Sequence, residues 1–432
     1  MIKRICTVLI TTSVAMLSLH AGAGGTELGL PVADAKSQGM SAEKLAAIPE
    51  KIQPYIDQGK LAGAITAVAR NGKIVHFEAM GSMDTERNKP MQSDTIFRLY
   101  SMTKPVTGTA IMMLVDEGKL SLQDPVSKYI PEFAMTKVFV KEEAGKLITE
   151  PVKSPLTIQH LMMHTSGLPY PSNAHPVSRA YVKEGVNSGG HSGLTLEEFA
   201  KKVASVPLMY QPGTEWKYGV SMDVLGRIVE VASGQRFGTF LRERIFSPLG
   251  MKDSGFQVQS SEVERFAANY GRTDDGKRLI DDPVKSRYLT APSQESGGGG
   301  MVGTAADYLR FAQMLLNEGE LDGVRIISKA SAREMTTNQM DPKLGTAPLK
   351  FIPGINMEGV GFGYCGAAVM DGVEQTLFGP AGVYSWGGAA STDFWIDRHQ
   401  KIVGVVLTQM MPTNSYPTRR ILMTSTYEAI EE

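Results

Sequence analysis

Phe97-Arg98-Leu99-Tyr100-Ser101-Met102-Thr103-Lys104-Pro105 is the stretch on which the fold turns. Proline is tolerated in a helix only in the first turn, where its missing N–H had no partner to lose. Val106, Ala110, Met113 and Leu114 follow at helical spacing, so a helix is expected over 101–117. Ser101 then stands at a helix N-terminus, beside unpaired backbone N–H groups and the positive end of the helix dipole. Both favour negative charge on or near its hydroxyl. Lys104, three residues on, projects from the same face and can reach it. A serine hydroxyl is a weak nucleophile until a neighbouring base accepts its proton, which gives Ser-x-x-Lys at a helix start a chemical purpose. By itself the tetrapeptide is weak evidence, because an N-cap serine beside a solvated lysine has the same spelling.

Outward from this point the two ends of the chain mirror each other. On the N-terminal side, Leu45, Ile48, Ile52 and Ile56 lie at helical spacing behind a Ser41 N-cap. Two apolar runs, Ala62 to Ala69 and Lys73 to Ala79, then flank Asn71-Gly72, a pair suited to the positive φ of a tight hairpin turn. On the C-terminal side, strand-like runs Thr392 to Asp397 and Ile402 to Met410 flank Arg398-His399-Gln400, and a helical segment from Thr418 to Glu431 follows. Between the ends, helical patterns dominate: 101–117, 156–163, 195–204 and 222–246. These patterns predict a mixed α/β (α+β) fold, with one antiparallel sheet flanked by helices and interrupted by a mostly helical subdomain. The expected division is a sheet domain from 24–98 and 298–432, a helical subdomain from 99–297, and an active site between them.

Further motifs give the tetrapeptide its context. The stretch 94–133, with Ser101-Met102-Thr103-Lys104, Asp116-Glu117-Gly118-Lys119-Leu120 and Asp124-Pro125-Val126, resembles the active-site region of class C serine β-lactamases and family VIII carboxylesterases. His164-Thr165-Ser166-Gly167-Leu168 matches that superfamily's H-T-S-G-L element. The resemblance continues through Trp216-Lys217-Tyr218, Asp223-Val224-Leu225-Gly226, Gly298 to Thr304 and Trp386-Gly387-Gly388, covering most of 40–410. It implies a β-lactamase/transpeptidase-like fold. It also implies that Tyr218 assists the nucleophile together with Lys104, leaving open which of the two takes the proton. Trp386-Gly387-Gly388 resembles the esterase version of the motif that is Lys-Thr-Gly in class C enzymes. There a strand edge would bind substrate, and the backbone N–H of Ala389 would join that of Ser101 as an oxyanion hole.

Two departures from the lactamase pattern narrow the chemistry. Val220 stands where those enzymes carry an asparagine, and the adjacent Ser221 is one residue out of place. Trp386 stands where an ammonium would help hold a substrate carboxylate. An uncharged acyl ester suits such a site better, so the expectation is a serine carboxylesterase acting on short-chain acyl esters, with weak β-lactam hydrolysis as a side activity. A β-lactamase, D-amino-acid peptidase or acyltransferase on the same site is the alternative within enzymes. A non-catalytic sensor of the same fold is the alternative outside them, and the joint presence of Ser101, Lys104 and Tyr218 argues against it.

Composition sets the outer limits. The 432 residues are 42% hydrophobic and carry a formal net charge of -1, so nothing marks the protein as a partner of nucleic acid or anionic membranes. A small-molecule ester is the expected partner, and the oligomeric state is not legible. Lys3-Arg4, an apolar run to about Leu19 and Ala21-Gly22-Ala23 have the three parts of a signal peptide over 1–23. Export to the periplasm or medium, without stable membrane insertion, is the expectation. Removal of that segment takes Cys6 and leaves Cys365, whose flanks read as a strand holding a buried thiol. No H-E-x-x-H or other metal-ligand spacing and no G-x-S-x-G elbow occurs, so neither metal nor cofactor is expected. No Walker lysine follows Gly297-Gly298-Gly299-Gly300, which suits close backbone approach to a cleft wall. His164, at the end of a helical pattern, reads as a cap rather than a base.

Overall fold

Asn71 and Gly72 take φ values of 54° and 75°, the paired left-handed conformation of a tight hairpin turn. They join two long strands of the computed structural model, which describes residues 27–190, 193–341, 344, 358–373, 376 and 378–431. The segment read as a signal peptide lies outside the described residues. The main sheet contains β1 (Gly63–Arg70), β2 (Lys73–Asp84), β3 (Lys89–Pro90), β4 (Val360–Phe362), β5 (Ala367–Val369), β6 (Val383–Gly388), β7 (Thr392–Asp397) and β8 (Ile402–Leu407). Its order is β4-β5-β6-β7-β8-β1-β2-β3. All pairs are antiparallel, and β1 meets β8 with Ile65 opposite Leu407 and Arg70 opposite Ile402. The two ends of the chain therefore close one sheet, as their apolar runs predict. Every residue of β7 and β8 is buried, because both faces of the sheet are covered; this is why β8 reads as a continuous apolar run rather than an alternating one.

Helices supply the cover. They are α1 (Ala42–Ala46), α2 (Ile48–Asp57), α3 (Thr103–Asp116), α4 (Ile158–Met162), α5 (Leu196–Ala204), α6 (Ser221–Ser233), α7 (Ala305–Leu316) and α8 (Thr418–Glu428), together with shorter helical pieces. Ser41 caps α1 by accepting from the N–H of Lys44, as its position predicts. Helix α8 packs on α2 and β8, and α7 packs on β7, β8 and β1. In the middle of the chain α3 packs on α6, and α6 on α4 and α5. None of the helices among the described residues is long and apolar enough to cross a membrane.

Three local expectations need correction. The helical pattern 222–246 is not one helix: Gly234 ends α6 in the left-handed conformation with φ 73°, and the chain restarts at Phe237. The run from Ile402 leaves the sheet after Leu407, and Met410–Met411 pairs instead with Asn269–Thr273 of a separate small sheet. Cys365 is buried as expected, but it occupies the turn between β4 and β5 with φ 65°, not a strand. The stretch 101–297 also holds two hairpins, Lys137–Glu143 with Lys146–Pro151 and Asn269–Thr273 with Gly276–Asp281. Both carry many exposed or half-exposed positions, so they lack the apolar alternation that marks a strand in sequence.

Candidate active site

Residues Tyr100–Met102 form a single 3₁₀ turn that runs directly into α3, and Pro105 falls in the first turn of that helix. Ser101 is thereby placed at the helix start, where its sequence predicts it. Tyr100, just before it, is held at φ 47°, a strained conformation for a residue with a side chain. Its carbonyl accepts from Thr103 Oγ1 at 2.6 Å and its phenol accepts from Asn269 Nδ2 at 2.8 Å, so both ends of the residue are pinned. Arg98 secures the approach to this turn. Its guanidinium, fully buried, donates to Asp281 Oδ2 at 2.7 Å and to the Ala267 carbonyl at 2.6 Å, and lies 4.0 Å above the Phe266 ring. Sequence reasoning passed over Arg98; a lone cation inside the apolar run Phe97-Arg98-Leu99 is the signal that marks it.

Helix α3 is buried on all sides from Thr103 to Leu114, and Lys104 is wholly inaccessible. That disposes of the solvated-lysine alternative. Nζ of Lys104 donates to the Gly298 carbonyl at 2.5 Å, to Ser101 Oγ at 3.0 Å and to Tyr170 Oη at 3.2 Å. A buried amine needs such acceptors, since each N–H left without one carries its desolvation cost. The glycine run supplies the first of them. A Cβ on Gly297 would lie 2.4 Å from the Met222 carbonyl and one on Gly298 2.7 Å from Asp223 Oδ2, so only bare backbone fits there. Asp223, also buried, accepts from Ser296 Oγ at 2.5 Å; burial raises its carboxyl above the usual range while the Lys104 charge pulls the other way.

Tyr218 precedes α6, and its ring faces the lysine, with Lys104 Nζ 4.6 Å from the ring centroid. The Trp386 indole, on β6, donates from Nε1 to the Tyr218 oxygen at 3.2 Å. Strand β6 approaches the Ser101 turn closely enough that a Cβ on Gly388 would lie 2.4 Å from the Leu99 carbonyl and 2.3 Å from Thr392 Oγ1. A Cβ on Gly387 would lie 2.1 Å from Asp393 Oδ1. The glycine pair is thus what lets Ala389 come beside Ser101. Ser101, Tyr218, Trp386, Gly387, Gly388 and Ala389 together line a cleft of about 170 Å³. A larger cleft of about 430 Å³, beside Arg242, Phe256 and Val302, contains none of these groups.

The remaining candidates fall away from the cleft. Val220 is buried, and Ser221 turns its hydroxyl to Ser166 Oγ at 2.8 Å, so neither replaces the missing amide. His164 takes φ 56° after α4, as a capping residue does. Its ring is buried between Tyr218 and Trp216 at 4.8 and 5.8 Å, and burial, aided by the Lys104 charge, holds its pKa well below the usual value. An imidazole enclosed by aromatic rings, its charged form disfavoured by burial, has the surroundings of a packing residue. Burial pushes the Cys365 thiol up, away from the thiolate that reactivity needs. No group of acidic, histidine or cysteine side chains able to hold a metal occurs among the described residues. Tyr170, which the sequence reading did not single out, touches Lys104 directly. The signal was its place just after the H-T-S-G-L element, at Leu168-Pro169-Tyr170.

A helix-borne serine and buried lysine, a tyrosine over them and a glycine-rich strand edge opposite form one constellation, and the whole chain carries the pattern. A family model described as Beta-lactamase matches residues 48–427. The chain belongs to the β-lactamase family. Among the relatives of this family member are Protein Rv1367c of Mycobacterium tuberculosis, 38% identical over 84% of this chain and 89% of its own, and Esterase EstB of Burkholderia gladioli, 32% identical over 84% and 91%. The solved structure of EstCE1, a hydrolase with promiscuous acyltransferase activity, superposes with a TM-score of 0.75 at 28% identity, covering 89% of this chain and 99% of that one. The mixed α/β architecture with its antiparallel sheet is that of the β-lactamase fold. The protein is an enzyme, a serine hydrolase of the β-lactamase family.

Proposed function

We propose that this family member is a carboxylesterase acting on short-chain acyl esters through an acyl-enzyme on Ser101. The hydroxyl of Ser101 attacks the ester carbonyl while Lys104 and Tyr218 manage its proton. The backbone N–H groups of Ser101 and Ala389 face the oxygen that becomes negative in the tetrahedral intermediate. The alcohol departs with a proton, and water then releases the acid. Ser101 and Tyr218 come from the segment read as the helical subdomain, and Gly387 to Ala389 from the sheet domain, which supports a cleft between the two.

One observation carries the choice of ester over β-lactam. Where the lactamase pattern has a lysine, Trp386 presents a ring to the cleft and gives its only donor to Tyr218. The cation that does border the cleft, Arg419, is paired with Asp393 at 3.0 Å, so it does not take the place of the missing ammonium. The name of Esterase EstB agrees with hydrolysis of esters, and EstCE1, a hydrolase with promiscuous acyltransferase activity, adds acyl transfer as a secondary activity. Export rests on the N-terminal pattern over 1–23, and N-terminal sequencing of protein recovered outside the cytoplasm tests it.

The enzymatic test has two arms. Intact-mass measurement after treatment with a fluorophosphonate is expected to show one adduct per chain that disappears in Ser101→Ala; an adduct that persists in the variant removes Ser101 as nucleophile. Steady-state rates then compare a p-nitrophenyl butyrate ester with a chromogenic cephalosporin. A higher kcat/KM on the cephalosporin would make the protein a lactamase, and capture of the acyl group by an added alcohol faster than by water would make it an acyltransferase.

A further inference from the structure

We propose that Tyr170 is a positioning residue of this centre, its hydroxyl forming the bridge by which a proton passes between Lys104 and Tyr218. The inference rests on the reading of Ser101 as nucleophile and goes beyond it by assigning a direction to each hydrogen bond. Apart from its bond to carbon, the Lys104 nitrogen has three tetrahedral directions, and three oxygens occupy them: the Gly298 carbonyl, Tyr170 Oη and Ser101 Oγ. The carbonyl only accepts. Tyr170 is partly buried with its ring edge-on to Tyr218 at 5.4 Å, and its hydroxyl also hydrogen-bonds the Tyr218 phenol. Burial, then the neighbouring Tyr218 and Asp223, push the Tyr170 pKa well above the usual value, so it keeps its proton. A protonated Tyr170 that donates to Tyr218 can only accept from Lys104.

Two of the lysine's directions are therefore held as donors, and the third faces Ser101. For Lys104 to take the Ser101 proton, the bond in that third direction must reverse from the one drawn, with the Ser101 hydroxyl donating to a lone pair on Nζ. As Ser101 Oγ bonds to the ester carbon, its O–H bond breaks and an N–H bond forms on Lys104, giving an ammonium with three donors for three acceptors. Departure of the alkoxide reverses the flow. An N–H proton of Lys104 passes to Tyr170 Oη, the Tyr170 proton passes to Tyr218 Oη, and the Tyr218 proton passes to the leaving oxygen in the cleft that Tyr218 lines. Lys104 ends neutral, both tyrosines end protonated, and the alcohol carries the proton that Ser101 lost. Trp386 Nε1–H, donating to the same Tyr218 oxygen, leaves that phenol's own proton as the one it gives away.

Tyr170→Phe tests this, because it keeps the ring and removes only the bridge. A p-nitrophenolate leaves without needing a proton, whereas an alkoxide does not, so the two leaving groups separate the bridge from general damage. On ethyl butyrate kcat is expected to fall roughly 100-fold with KM held within about twofold, and on p-nitrophenyl butyrate by about tenfold or less. Equal losses on the two esters, no loss, or a loss confined to KM would overturn the proposal. Should the variant not fold, a proton inventory on the wild-type enzyme with ethyl butyrate decides: curvature from more than one proton in flight supports the bridge, and a straight line sinks it. Fluorophosphonate labelling keeps the two readings apart. Tyr170→Phe is expected to reach one adduct per chain, more slowly than wild type, and an adduct in Ser101→Ala would fault the nucleophile, not the bridge.

Discussion

At position 388 a single methyl group has nowhere to go. The nearest neighbours of a Cβ there are the Thr392 hydroxyl at 2.3 Å and the Leu99 carbonyl at 2.4 Å, and Leu99 stands two residues before the nucleophile. Gly388→Ala must therefore push β6 away from the Ser101 turn and withdraw Ala389 from the forming oxyanion. Loss of one such donor costs about 100-fold in turnover, so kcat/KM on a p-nitrophenyl ester is expected to fall by that order while far-UV circular dichroism stays native. Activity within twofold of wild type would remove Ala389 from the oxyanion hole. The glycines were visible in the sequence as part of a motif; the reason for them was not, because it lies in two backbone segments far apart along the chain. Lys104 shows the same division. Its spacing from Ser101 is written in four consecutive residues, but its burial, which separates a reactive amine from a surface cation, follows from the packing of α3 on all sides.

The element that brings Cys365 into the core is the turn between β4 and β5, a feature that sequence reading placed in a strand. The chain Phe362-Gly363-Tyr364-Cys365-Gly366-Ala367 has apolar character throughout, and periodicity cannot separate two short buried strands from one long one. The thiol of this turn packs against Met222 Sδ at 3.3 Å and Met162 Sδ at 3.6 Å, and a Cβ on Gly108 of α3 would lie 2.7 Å from it. A thiol so enclosed is expected to resist a disulfide reagent in buffer and to react fully, one per chain lacking residues 1–23, only in denaturant. Loss of esterase activity on native alkylation would contradict its packing role. Helix α5 was legible for the opposite reason: its Thr195 and Glu198 form a capping box within four residues, a purely local signal. The hairpin Lys137–Glu143 with Lys146–Pro151 has no such signal, since its pairing is set by backbone bonds and most of its side chains face outward.

For the molecule as a whole, the sheet that joins the two chain ends carries a buried titratable group on its penultimate strand. His76 of β2 is buried against Thr66 Oγ1 of β1 at 2.8 Å, and burial lowers its pKa from 6.5 to about 4. In the unfolded chain this imidazole takes a proton as pH drops through 6.5, whereas in the folded one it does so only near 4. Its contribution to stability is therefore complete above pH 6.5, is lost progressively as pH falls from 6.5 to 4, and changes no further below that. The loss is on the order of 3 kcal/mol. Asp307 and Asp393, each raised to about 6 by burial, act in the opposite sense over part of the same range. Comparison with His76→Gln cancels them, because both proteins keep those carboxyls. Urea midpoints at pH 7.5 and pH 4 are expected to show wild type losing stability relative to the variant by that order on acidification. A difference between the two proteins that does not change with pH would show that His76 titrates normally in the fold.

The amino-acid order alone was enough for the helix start at Ser101, the Asn71-Gly72 hairpin, the union of both chain ends in one sheet, and the ester-like rather than lactam-like motif set. All of these are carried by residues within a few positions of each other or by composition along a run. What needed the folded chain was the company that Lys104 and Tyr218 keep. Gly298 lies 194 residues from Lys104, Tyr170 lies 66 from it, and Trp386 lies 168 from Tyr218. A hydrogen bond is decided by tenths of an ångström and by which atom has a proton to give. Only the packing of α3, α6 and β6 against one another sets those distances.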